Sequence, residues 1–118
     1  MIVNFKMIIN DETIEFNSIG KLNENVLSFK DMNNKQNIID VYILEEQVII
    51  IQDGTTKMKN EYILNKKTEG YYSGAHNVEG VTHCITHELK INPKEIYIKY
   101  DFYFNNQLAS NNILLIKY

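Results

Sequence analysis

Apolar side chains recur at every second position through most of this chain, and short polar clusters interrupt the recurrence. A two-residue period places successive side chains on opposite faces, so each run reads as a β-strand with one apolar face. The clearest run is Glu95 to Phe104. There Ile96, Ile98, Tyr100, Phe102 and Phe104 share one side, and Tyr97, Lys99, Asp101 and Tyr103 share the other. Val3, Phe5, Met7 and Ile9 make a similar face on a first strand, and Asn10-Asp11-Glu12 turns it into Thr13-Ile14-Glu15-Phe16 as an opening hairpin. The second strand runs on to about Leu22. Within it Ile19 is out of phase with Ile14 and Phe16, and the adjacent Gly20 predicts a bulge or sharp bend.

The same reading predicts strands at Val26 to Lys30, Ile38 to Leu44 and Val48 to Ile51, the last apolar on both faces as in a strand covered twice. Asp53-Gly54 supplies a tight turn into Thr56 to Leu64, which is one long strand or two short ones broken near Asn60. Lys66 to Gly80 contains three glycines and no clean period, and reads as loops with short edge strands. Alternation returns at Val81, where Val81, His83, Ile85, His87, Leu89 and Ile91 are expected on the inner face. Asn92-Pro93 turns the chain into the aromatic strand, and Asn105-Asn106 suits a two-residue hairpin with positive backbone angles ahead of the last strand, Gln107 to Tyr118. No segment carries a helical period. About nine strands joined by short turns would leave long exposed edges unless the sheet closed on itself or folded into two facing layers. The expected fold is therefore all-β, a single antiparallel domain spanning residues 1–118, either a meander-type barrel, which removes the edges altogether, or a sandwich.

Composition narrows the chemistry. No apolar run approaches the roughly 20 residues of a membrane-spanning helix, and the alternating amino terminus reads as a strand rather than a secretory signal. Cys84 is the only cysteine, which excludes an intrachain disulfide and suits a reducing, cytoplasmic setting. All 12 basic residues are lysines and the net charge is −3. Without arginine forks or clustered positive charge, phosphate-rich ligands and nucleic acid are disfavoured.

The segments Asp53-Gly54-Thr55-Thr56-Lys57, Thr86-His87-Glu88-Leu89-Lys90-Ile91 and Tyr100-Asp101-Phe102-Tyr103-Phe104, in that order before a final strand, resemble the YwiB-like family. The resemblance spans most of the chain. It implies a bacterial protein of undetermined function with a calycin-like, lipocalin-like β-barrel, and it brings no catalytic residues. Between Gly80 and Thr86 this chain departs from the family pattern, which usually has a longer hairpin there; one strand pair is expected to be shortened, and full closure of the barrel stays open.

Candidate chemistry is sparse. His83 and His87 on one strand face would lie about 13 Å apart, too far to share a metal ion. Cys84 and His83 point to opposite faces, which separates a thiol from its base. Ser73 lies outside a nucleophile elbow, and Asp53-Gly54-Thr55-Thr56-Lys57 lacks phosphate-loop spacing. Tyr97, Lys99 and Tyr103 could stack bases, but Asp101 sits among them. The reading these patterns favour is noncovalent binding of a small apolar or amphipathic ligand inside the barrel, without metal or cofactor, by Phe5, Met7, His83, His87, Tyr100 and Phe102. The rival is a filled barrel that meets a protein partner, or a second copy of itself, through a tyrosine-rich face. An enzyme ranks third, because no acid, base and nucleophile fall together.

Overall fold

In the computed structural model, which describes residues 1–118, ten strands follow one another around a closed antiparallel barrel. They are β1 (Ile2–Ile9), β2 (Glu12–Asn23), β3 (Val26–Lys30), β4 (Ile38–Ile43), β5 (Gln47–Asp53), β6 (Lys57–Ile63), β7 (Lys67–Ser73), β8 (Glu79–Asn92), β9 (Glu95–Phe104) and β10 (Gln107–Lys117). Each pairs with its neighbour in sequence, and β1 pairs with β10 from Asn4↔Lys117 to Ile9↔Asn112 to complete the ring. Closure satisfies most of the backbone edges that an open meander would leave bare.

The period-two reading places the core correctly in most strands. Val3, Leu27, Val41, Val48, Ile96, Ile98, Leu114 and Ile116 are fully buried, and fourteen buried residues form one continuous cluster. Turn chemistry also follows the sequence. Asn105 and Asn106 both take positive φ, 49° and 66°, as the β9–β10 hairpin requires.

Three expectations need correction, and one open alternative is decided. First, Lys67 to Ser73 is a seven-residue strand paired on both sides rather than a short edge strand among loops, and β8, with 14 residues, is the longest strand in the barrel. The hairpin expected to be shortened is therefore complete, and the barrel closes. Second, β6 is continuous through Asn60, whose buried side chain accepts a hydrogen bond from Thr82 at 2.8 Å. Third, β2 has no bulge at Ile19. Its pairing with β1 runs unbroken from Ile2↔Ile19 to Ile9↔Glu12, and Ile19 simply faces out. Gly20 instead lies where β2 leaves β1 for β3; a Cβ there would sit 2.4 Å from Val3 Cγ2, so only glycine permits this approach.

The remaining correction concerns β8, which changes phase midway. Thr82, Cys84 and Thr86 face inward; the register then shifts between Thr86 and Glu88, and Leu89 and Ile91 take over the inner positions. His87 is the extra residue of this bulge. A bulge reverses parity, so extrapolating inward from Leu89 and Ile91 assigns the wrong face to everything before it.

Candidate functional site

The barrel interior carries a polar band that hydropathy alone does not mark. Cross-strand rows run Asn112–Tyr100–Thr86, then Ser110–Phe102–Cys84, then Phe104 with Thr82. Asn60, Thr82, Thr86, Ser110 and Asn112 are all buried within it. The Tyr62 and Tyr100 rings, from β6 and β9, meet edge to face at 4.7 Å in the buried interior. Burial pushes Tyr100 up to about 12, against partial relief from hydrogen bonding with Tyr62 and Asn112. Burial likewise raises Tyr62 well above its ordinary value, reinforced by Tyr100 and Cys84. The Cys84 thiol is pushed up to about 12 for the same reason, with Tyr62 pulling it partway back. At neutral pH the band is uncharged, and Cys84 is held as the unreactive thiol.

The six residues singled out from sequence do not converge. Tyr100 is buried at the centre. Phe5 and Met7 pack half-buried on the core from β1, and Phe5 stacks on Phe16 at 4.9 Å, with Phe29 6.0 Å away. Phe102 is half-buried toward the end of β9. His83 and His87 lie outside the barrel, because the β8 bulge puts Cys84 and Thr86 inside in their place. His87 Nε2 pairs with Asp101 Oδ2 at 2.8 Å on the outer face, while His83 Nε2 is 3.9 Å from Glu69 Oε2. The inward placement expected for both histidines is thus overturned.

The tyrosine face is dressed by the chain itself. Lys67 lies over the Tyr103 ring at 5.5 Å and Lys90 over Tyr97 at 5.4 Å, so both rings already hold cations.

Of six depressions in the surface, three stand out. One of about 450 Å³ lies among Glu45, Glu46, Leu64, Lys66, Leu89 and Ile91. A smaller one of about 280 Å³ is wholly apolar, lined by Tyr72, Val78, Phe102, Phe104 and Ala109. The largest, about 530 Å³, is lined by Ile2, Asn17, Ser18, Ile19, Lys30 and Met32. It occupies a fork in the sheet. β2 pairs with β3 only from Gly20↔Phe29 to Asn23↔Val26, so the first two thirds of β2 have β1 on one side and no strand on the other. Ile2 and Ile19 remain 67% and 78% exposed beside this gap, the largest values among the exposed apolar side chains. Sequence reasoning read Ile19 as a sign of backbone irregularity. Its broken phase in fact marked an apolar residue on the outer face.

The chain matches a family model described as a domain of unknown function (DUF1934) over residues 3–116. It belongs to that family. The ywiB protein from Bacillus subtilis, known from its crystal structure, superposes with a TM-score of 0.73 at 19% identity, covering 98% of this chain and 89% of that one. At that identity the DUF1934 chain shares the fold with its neighbour, and the likeness says nothing further. No curated protein matches the sequence. No helix is long and apolar enough to cross a membrane.

Proposed function

We propose that this DUF1934 protein is a noncatalytic interaction module: a filled barrel that binds another polypeptide on its outer surface. The observation that carries the reading is the distribution of apolar side chains. Core residues from β1, β3, β4, β5, β9 and β10 meet at the centre with no exposure, while Ile2, Ile19 and Met32 stay in solvent around one groove. An exposed apolar patch rimmed by polar residues is the ordinary signature of a contact surface. The groove replaces the tyrosine face as the favoured surface, because Lys67 and Lys90 already cover Tyr103 and Tyr97. A cytoplasmic setting belongs to the same proposal and rests on the lone, reduced Cys84.

A second reading keeps a small apolar ligand, moved from the barrel centre to its rim. The all-apolar depression at Phe102 and Phe104 favours it, although about 280 Å³ falls just under the usual range of small-molecule pockets, roughly 300–1,000 Å³. Native mass spectrometry of the protein purified from its own host separates the two. The interaction reading predicts polypeptide free of small molecules, with a dimer or partner species that Ile19→Glu abolishes. A stoichiometric small-molecule adduct that is lost on denaturation, with no such species, would overturn it.

A further inference from the structure

The open side of β2 presents a row of backbone groups as well as an apolar groove, and the ladder tells which ones. Gly20 N donates to Met1 O at 2.9 Å, and the Met1 amino group donates to Gly20 O at 3.2 Å, so the even-numbered residues of β2 turn their amides and carbonyls toward β1. Strand geometry then points the amides and carbonyls of Thr13, Glu15 and Asn17 the other way, where β3 no longer runs alongside. These residues are exposed, as is Ile14 on the inner parity, and the segment contains neither proline nor bulge. An uncovered, regular edge of this kind is a template for one more strand. The groove formed by Ile2, Ile19, Lys30 and Met32 begins where that strand would run into the fork.

We infer that the β2 edge from Glu12 to Asn17 captures an extended, cationic peptide segment by strand addition, with its lysine side chains on the outer face beside Glu15, its apolar side chains on the inner face over Ile14 and Phe16, and its end at the Ile2–Ile19–Met32 groove. The inference rests on the interaction reading above and names its partner class. Charge selects the occupant. Asp11, Glu12 and Glu15 are exposed along this edge, with Lys6 opposite Glu15 across β1 and Lys30 at the fork. A second copy would bring the same acidic edge against itself, whereas lysine side chains on an incoming strand meet complementary charge.

The test uses the whole protein and a labelled synthetic peptide, Lys-Ile-Lys-Val-Lys-Val, followed by fluorescence anisotropy and by residue-resolved amide exchange. The expected result is saturable binding that protects the amides of Thr13, Glu15 and Asn17. Glu12→Lys with Glu15→Lys should weaken it at least tenfold and transfer preference to Glu-Ile-Glu-Val-Glu-Val. Asn17→Pro removes a donor that β1 does not use and should also weaken binding, with the charge-reversed variant as the check if proline disturbs the fold. Binding that leaves those three amides unprotected and is indifferent to charge reversal overturns strand addition; the interaction reading then survives if Ile19→Glu abolishes the same binding. Absence of binding by either peptide overturns the inference, and native mass spectrometry judges the broader reading separately. Self-association abolished by Asn17→Pro, without peptide binding, would assign the edge to a second copy and equally overturn it.

Discussion

Three acidic side chains inside the barrel, Tyr62, Cys84 and Tyr100, are held neutral by burial, and this gives the fold a defined alkaline weakness. Cys84 moves from an ordinary value of 9.0 to about 12, and Tyr100 from 10.0 to about 12. The native state therefore keeps protons that the unfolded chain releases. Stability is whole below about pH 9 and falls as pH rises from there toward 12. Denaturant midpoints measured between pH 7 and 11 should decline from about pH 9 upward, and Cys84→Ser with Tyr100→Phe should shift the onset upward by removing two of the titrating groups. The sequence showed that Tyr100 faces inward. Its polar surroundings were hidden, because Asn60, Thr82 and Asn112 come from three strands brought together only by register.

At the scale of elements, β7 is where the reading from sequence was weakest and where the structure is most crowded. It pairs with β6 only from Lys57↔Ser73 to Lys59↔Tyr71 but with β8 over seven residues, so it wedges between two strands that close on each other below it. Gly70 makes this possible. A Cβ there would lie 1.9 Å from Lys59 O and 2.7 Å from Thr82 Oγ1. The obstruction is backbone, which has no rotamer to move into. Gly70→Ala is expected to cost at least the upper part of the usual overpacking range of about 1–3 kcal/mol, read from chemical denaturation. Glycine-rich sequence concealed β7 because glycine removes the side chains that a period needs. The same local blindness explains β8: the Val81 to Ile91 alternation is genuine, yet His87 inserts one residue, and only the partner strand reveals it. Hairpins with explicit turn chemistry, such as Asn105-Asn106, were legible because the signal lies within two residues.

For the molecule as a whole, the period-two pattern was sufficient for an all-β antiparallel sheet; the barrel was favoured over two facing layers by the family resemblance, and full closure became visible only in the register of β1 against β10. The candidate site was much less legible. The sequence carried its apolar residues, Ile2, Ile19 and Met32, but their meeting place depends on β2 abandoning β3 after Gly20, a long-range event with no local mark. The resulting picture is a closed barrel around one continuous core cluster, with its ladders interrupted between β2 and β3 and between β6 and β7. Native-state amide exchange at residue resolution tests that picture most directly. The account predicts alternation along β2, with Ile14, Phe16 and Ser18 protected by β1 while Thr13, Glu15 and Asn17 exchange rapidly. Uniform protection of all six amides in the free monomer would contradict it.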